Sequence, residues 1–299
     1  MENIENTSKF EKLYQKNYKL ILIIPTIIFL LSIIYLYHFT SKNGDIIYKD
    51  VSLTGGTTIT VFDTQQDIAI IKSSLITKFP DLNVRSIKDI SSDSQKAFYV
   101  ESNTDVDSLK SSIEDIIGYK LTEENSSVEF SGQSLSEGFY KQLRFALIVA
   151  FILMALVVFT IFRTFVPSAA VIISAFADIL MTIALIDFLG FRLSTAGIIA
   201  LLMLIGYSVD TDILLTTRLL KSTEEGSTNK KIFGAFKTGM TMTLTAILAV
   251  GAALIVIYSL SDVLKQMFLI ILIGLGFDIL NTWITNASLL KWYMEKKSK

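Results

Sequence analysis

The feature that most constrains this chain is the arrangement of its apolar residues in long blocks. Of its 299 residues, 51% are hydrophobic and only 18% are charged. Runs of 18 or more apolar residues are typical of transmembrane helices, because about 20 residues cross the hydrocarbon core. The pattern predicts six membrane spans, at residues 20–39, 145–162, 166–189, 193–216, 238–260 and 263–290.

Basic residues indicate how these spans are oriented. Lysines and arginines cluster in the N-terminal segment 1–19, in the loop 217–237 and in the tail 291–299. Six spans place all three segments on the same side, and short basic segments remain in the cytoplasm. The sequence therefore predicts a multi-pass protein of the cell membrane, with both termini cytoplasmic and residues 40–143 outside.

The polar stretch 40–143 is long enough for one domain. It reads as strand, helix, strand, strand, helix and strand, with alternation in the strands and apolar residues at helical spacing between them. These elements are predicted at residues 57–63, 67–79, 82–90, 96–101, 106–117 and 127–130. The expected fold class is a mainly α membrane protein, a six-helix bundle with an extracytoplasmic α+β domain of the ferredoxin-like βαββαβ type.

Composition excludes several kinds of chemistry. There is no cysteine, so disulfides, thiolate metal sites and cysteine nucleophiles are absent. His38 is the only histidine and ends the first apolar run, where an interfacial role is expected. No basic stripe indicates a nucleic-acid partner, and no catalytic, cofactor or metal motif is present. We expect no enzyme activity.

Acidic residues inside the predicted spans are the main functional signal. Asp178 and Asp278 lie near the middle of the third and sixth spans, and Asp210, Thr211 and Asp212 lie in the fourth. A carboxylate at this depth is costly, so such residues face the bundle interior and mark pathways. No lysine or arginine is expected to be buried within the spans to pair with them. On a helix, Asp210 and Asp212 point in different directions, so at most one faces a given interface.

Polar stripes accompany the acids. Thr241 and Thr245 share one face of the fifth span, and Asn281 and Thr282 accompany Asp278 in the sixth. These side chains are candidates for hydrogen bonds to the acids of neighbouring helices. Two interpretations stay open, a proton relay and hydrogen bonds that only hold the helices together.

Two sequence motifs connect the chain with a known family. Residues 50–57 (DVSLTGGT), which include Gly55 and Gly56, resemble an element after the first helix of SecD and SecF proteins. Residues 206–212 (GYSVDTD), which begin with Gly206 and Tyr207, are similar to the fourth-helix motif of SecF. The bacterial motif has its aspartate at the position of Thr211, whereas this chain has aspartates on both sides, as archaeal members do. The chain thus resembles the archaeal SecF branch of the SecD/SecF family.

The resemblance implies a helper of protein translocation driven by the proton-motive force. Its implied partners are SecD as an obligate subunit, the Sec translocon (SecY/SecE), the translocating preprotein and membrane lipid. Two alternatives remain: half of a small-molecule efflux transporter of the resistance-nodulation-division (RND) kind, whose bundle is related, or a passive assembly factor of the membrane.

Overall fold

The computed structural model describes residues 17–62, 66–88, 94–221, 228–258 and 261–297. Six helices in this part of the chain are long and apolar enough to cross a membrane, which confirms the predicted number of spans. The helices that form the bundle are α1 (Ile23–Asn43), α5 (Gln133–Phe162), α6 (Phe165–Phe188), α7 (Thr195–Leu220), α8 (Thr228–Ile257) and α9 (Asp262–Leu280). A π-helical segment (Asn281–Asn286) and α10 (Ala287–Lys297) continue the last span.

Several helices begin or end beyond the predicted spans. Helix α5 begins at Gln133, twelve positions before the apolar run at Phe145, and α8 begins at Thr228, before the predicted start at Thr238. Residues 133–144 and 228–237 carry many polar side chains, so hydropathy alone does not detect these extensions of the helices. The predicted segment 1–19 lies outside the described residues up to position 16, as do residues 259–260 of the fifth span and 298–299 of the tail.

The bundle has a buried centre and a lipid-facing rim. Helices α6 and α7 bury most of their length, whereas α1, α5 and α8 leave most of their apolar side chains exposed. A bundle in a bilayer shows this pattern because lipid tails are as apolar as the side chains they contact. Most polar groups of α6 and α7 are therefore enclosed by protein rather than by lipid.

The small domain contains a four-stranded antiparallel sheet. Its elements are α2 (Val51–Thr54), β1 (Gly56–Phe62), α3 (Ile68–Leu75), β2 (Asn83–Lys88), β3 (Gln95–Ser102), α4 (Val106–Ile117) and β4 (Ser126–Ser131). The strand order in the sheet is β2–β3–β1–β4. Ile59 and Val100 are paired in the two central strands and pack with Leu109 and Ile113 of α4. The order from β1 onward confirms the ferredoxin-like βαββαβ prediction. The predicted strand ends at 63 and 89–90 lie outside the described residues.

The domain is bonded to the link between α6 and α7, which comprises residues 189–194. The Arg85 Nη2 donates to the Gly190 carbonyl at 3.1 Å, and the Arg192 Nη2 donates to the Asp81 carbonyl at 3.3 Å. Leu193 accepts from the Asp50 backbone N–H at 3.1 Å. These contacts attach the domain directly to the two buried helices of the bundle.

Gly55 and Gly56 mark the place where the small domain meets α5. Gly55 has φ +84° and ψ 159°, a conformation that only glycine adopts readily. A Cβ atom on Gly55 would collide with the backbone of Gln133, and one on Gly56 with the backbone of Ser102 and Asn103. Packing therefore explains the two glycines of the motif, because three backbone segments approach one another closely at this point.

We expect Gly55→Ala to destabilise the protein by roughly 2–4 kcal/mol, because backbone strain and steric overlap add. Gly44→Ala is the matched control, since Gly44 has φ +78° and no atom within 4 Å of its built Cβ. The control should cost about 1–2 kcal/mol, the strain alone. Thermal unfolding in detergent measures both, and equal losses would contradict the packing explanation.

Candidate functional site: three buried carboxyl groups between membrane helices

Three of the predicted acids meet inside the bundle. Asp178 lies on α6, Asp212 on α7 and Asp278 on α9, and each side chain is fully buried, with 0% exposure. The helices that carry them pack against one another at the centre of the bundle. The sequence placed each acid within a span, and the fold brings three of them into one cluster, the carboxyl cluster.

Asp178 joins three segments of the chain. Its Oδ2 accepts a hydrogen bond from the Ser208 hydroxyl on α7. Its Oδ1 accepts from the Asn281 Nδ2 of the π-helical segment at 2.7 Å. Asn281 in turn accepts from the Thr285 hydroxyl at 3.2 Å. Both carboxyl oxygens of Asp178 thus have neutral donors.

Asp278 is bonded by hydroxyl groups. The Thr282 Oγ1 donates to its Oδ1 at 3.0 Å, one turn along the same span. The Thr211 Oγ1 lies 3.1 and 3.2 Å from its two carboxyl oxygens, and 2.9 Å from the Ser208 carbonyl. A hydroxyl has one proton to donate, so Thr211 can switch between these acceptors. Through Thr211 and Ser208, Asp278 and Asp178 belong to one network.

Asp212 has a different environment. Its Oδ1 accepts from the Asn286 Nδ2 at 2.7 Å, while its Oδ2 is buried without a hydrogen-bond partner. Ser174 on α6 lies close to it, but the serine hydroxyl is also without a bonded partner. Asp212 is therefore only half satisfied.

The π-helical segment brings the donors to the acids. Asn281 and Asn286 are five residues apart, which places them about 140° apart around an ordinary α-helix. The i→i+5 hydrogen bonding of Asn281–Asn286 widens the turn, and both amides face the bundle interior with 0% exposure. Short π segments inside helices occur frequently at functional sites. Asn286 and Ser174 were not among the predicted site residues. The signal was present for Asn286, which is a second asparagine within the predicted last span.

The structure does not bring every candidate to the cluster. Asp210 lies on the exposed face of α7 together with Gly206 and Tyr207. Helix rotation decides between the two acids, and Asp212 is the one that faces inward.

The expectation that Thr241 and Thr245 reach the acids is wrong in this fold. Both are exposed, and their hydroxyls donate to carbonyls of their own helix, that of Thr241 to Lys237 at 2.8 Å and that of Thr245 to Met242 at 2.8 Å. Gly239 sets the rotation of α8, because the Trp283 ring packs directly against it. Thr243, one turn later, faces inward instead.

The side chains that donate to the carboxyl cluster are uncharged. Its hydrogen-bond partners in the described chain are hydroxyl and amide groups, and none is a lysine or arginine. Among the described residues, no group of three or more acidic or histidine side chains is arranged to hold a metal ion. Burying three uncompensated negative charges costs far more than hydroxyl and amide donors return. Such an arrangement is suited to binding and releasing protons.

Comparison with known proteins gives the family. The sequence model described as protein export membrane protein SecD/SecF, C-terminal, matches residues 113–296. The chain is similar to the protein-export membrane protein SecF of Methanocaldococcus jannaschii, at 39% identity over 93% of this chain and 96% of the relative. SecF of Methanolacinia petrolearia is 37% identical over 92% and 94% of the two chains. SecF of Pyrococcus furiosus is 33% identical over 99% of both.

Solved structures agree with the fold. The chain superposes on SecDF, a translocon-associated membrane protein from Thermus thermophilus, with a TM-score of 0.74 at 17% identity, covering 99% of this chain and 40% of that one. SecDF in its super-membrane-facing form gives a TM-score of 0.61 at 16% identity and the same 40% coverage. The chain thus spans about 40% of the length of these SecDF chains. From the match over most of its length, this chain belongs to the SecF family of protein-export membrane proteins.

Proposed function

We propose that the protein pairs with a SecD-type subunit to assist polypeptide export through the Sec channel, and that its carboxyl cluster couples this work to proton entry. The observation that carries the proposal is the meeting of Asp178, Asp212 and Asp278 in one buried site served by neutral donors. Ionisable groups at this depth are retained at a cost, and transport pathways are where that cost is commonly accepted.

The proposed orientation places the small domain outside. Two contacts bring the basic segments to the opposite end of the bundle. The Lys221 Nζ donates to the Ile161 carbonyl at 2.8 Å, and the Tyr18 hydroxyl donates to Glu295 at 2.7 Å. Segments rich in lysine and arginine remain in the cytoplasm, so this end is the cytoplasmic one.

The exposed face of α7 supports a membrane partner. Asp210 lies on this face in the middle part of the helix, beside Gly206 and Tyr207. A carboxylate facing lipid is costly, and Gly206 leaves room for a closely packed helix because nothing lies within 4 Å of its built Cβ. The SecDF chains, of which this chain matches 40%, have the length for such a partner in the same polypeptide. We assign this face to a SecD-type subunit.

Gly206→Leu is expected to reduce co-purification with the SecD-type subunit at least tenfold, because the leucine side chain fills the gap that the partner helix occupies. Gly251→Leu on lipid-facing α8, which also has open space around its built Cβ, is the matched control and should leave the complex intact. Pull-down from solubilised membranes followed by quantitative blotting measures both. Equal recovery of the subunit with both variants would assign the partner to another face.

The coupling is tested in proteoliposomes that contain the Sec channel, the SecD-type subunit and this protein. An imposed proton gradient should raise the rate of preprotein export, and Asp212→Asn should remove at least nine-tenths of that increase while leaving the complex assembled. Asn keeps the size of the side chain but does not exchange a proton. Stimulation that is independent of the gradient would favour a passive assembly factor.

A further inference from the structure

The pair formed by Asp212 and Asn286 has two unsatisfied oxygen atoms. The Asn286 Nδ2 donates to the Asp212 Oδ1 at 2.7 Å. The remaining oxygens, Asp212 Oδ2 and Asn286 Oδ1, are both buried without a hydrogen-bond partner. An ionised carboxylate and an amide oxygen are both acceptors, so nothing in this pair can satisfy them. A buried polar atom left in this state is destabilising, because it has lost its hydrogen bonds to water without a replacement.

A single proton on Asp212 would give both unsatisfied oxygen atoms a hydrogen bond. A carboxylic acid and a primary amide can form a cyclic pair, in which the amide N–H donates to one acid oxygen while the acid O–H donates to the amide oxygen. One of the two unpartnered oxygens belongs to Asp212 and the other to Asn286, as the cyclic pair requires. Proton uptake forms one O–H bond with a proton taken from water on one side of the membrane, and release breaks it.

The other two acids lack this complementarity. Asp178 already accepts at both oxygens, from Ser208 and Asn281. Asp278 accepts from the hydroxyls of Thr211 and Thr282. Donors of this kind suit a charged carboxylate, whereas an unpartnered amide oxygen on the neighbouring side chain suits a neutral acid, which has a proton to donate.

We propose that Asn286 is a positioning residue which makes Asp212 the proton-holding acid of the cluster. The proposal rests on the proposed function and names its proton site. The charged groups that face Asp212 are Asp278 on α9 and Asp178 on α6, both acidic. Asp212 belongs to α7 and Asn286 to the π-helical segment, so a relative shift of these elements would break the cyclic pair and release the proton.

Infrared spectroscopy of the full chain in lipid tests this inference without an export assay. At neutral pH, the wild type should show the C=O stretching band of a protonated carboxyl group, shifted by D₂O. The band should be lost in Asp212→Asn. In Asn286→Leu it should move to higher frequency, because the carbonyl loses the amide donor.

Ser174→Ala is the matched control, because Ser174 is the other polar group without a bonded partner beside Asp212. That variant should leave the band frequency unchanged. If Asn286→Leu does not fold, Asn286→Ser provides the same comparison, since serine is too short to form the cyclic pair. The inference is overturned if the wild type has no band that Asp212→Asn removes, or if neither change at Asn286 moves it. The infrared band could behave as expected while export in proteoliposomes does not depend on the proton gradient. That combination would reject the proposed function but would still support the protonated pair of Asp212 and Asn286.

Discussion

Replacing Asp178 with leucine is expected to lower the free energy of unfolding by about 2–5 kcal/mol, the largest loss for one substitution in the bundle. The change leaves the Ser208 hydroxyl and the Asn281 amide buried with no carboxylate to accept from them. These donors come from α7 and the π-helical segment, so the substitution removes the contact that joins both of them to α6. Thermal unfolding in lipid nanodiscs measures the loss, and Asp178→Asn, which keeps one acceptor oxygen, should lose less than half as much.

Asp210→Leu is the matched control for this prediction. Both acids lie in membrane helices, but the Asp210 side chain is exposed in the single chain. Removing a carboxylate from a lipid-facing position costs no internal hydrogen bond, so the stability of the isolated protein should be unchanged or higher. A loss with Asp210→Leu that equals the loss with Asp178→Leu would contradict the division between buried and exposed acids described above.

The contrast between Asp178 and Asp210 shows what can be predicted from the sequence and what cannot. Hydropathy locates a carboxylate along a span, and the number of spans was predicted correctly because each must cross the same hydrocarbon thickness. It does not give the rotation of that helix, which side-chain packing sets. The sequence therefore shows that Asp210 and Asp212 point in different directions, but it does not show which of them faces the bundle interior. Thr241 and Thr245 were placed wrongly for the same reason, since contact between Gly239 and Trp283 fixes the rotation of α8.

The small domain was more predictable than the site. Its alternation in β1 and its helical spacing in α4 follow directly from burial on one face, as Ile59 and Leu109 illustrate with 0% exposure. Asp105 caps α4, and its side chain accepts from the Ser108 N–H at 2.9 Å. The π-helical segment has no comparable signal in the sequence around it. Its wider geometry depends on tertiary hydrogen bonds, which a pattern search over one segment does not contain.

The second large effect is expected at the junction between the small domain and α7. Asp50 caps α2 and accepts from the Ser52 N–H at 2.9 Å and the Ser52 hydroxyl at 2.6 Å. The Ser52 Oγ accepts from the Thr195 N–H at 2.9 Å, where α7 begins. Burial raises the pKa of the Asp50 carboxyl to about 7, the Ser52 hydrogen bonds oppose the shift, and the charge of Glu101 adds to it.

The sign of the resulting pH dependence follows from linkage. The closed junction holds the Asp50 proton up to about pH 7, whereas an opened, solvated junction releases it near the ordinary aspartate pKa of about 3.9. Between these values the closed state binds more protons, so its stability falls as pH rises. The closed junction should therefore be most stable below about pH 4 and lose up to about 4 kcal/mol by pH 7, with little further change above.

Hydrogen exchange at the Asp50 amide, which donates to the Leu193 carbonyl, measures this opening once the intrinsic exchange rate at each pH is divided out. Protection should fall by two to three orders of magnitude from about pH 4 to pH 7 in the wild type. It should be independent of pH in Asp50→Asn, which keeps an acceptor oxygen for Ser52 and does not titrate. A flat profile in the wild type would mean that Asp50 is ionised in the closed junction. Thr195 begins the helix that carries Asp212. Acidic solution on the side where the small domain lies would therefore tighten this junction and hold α7 in place. Under the proposed function, loosening the junction would free the helix that holds the proton.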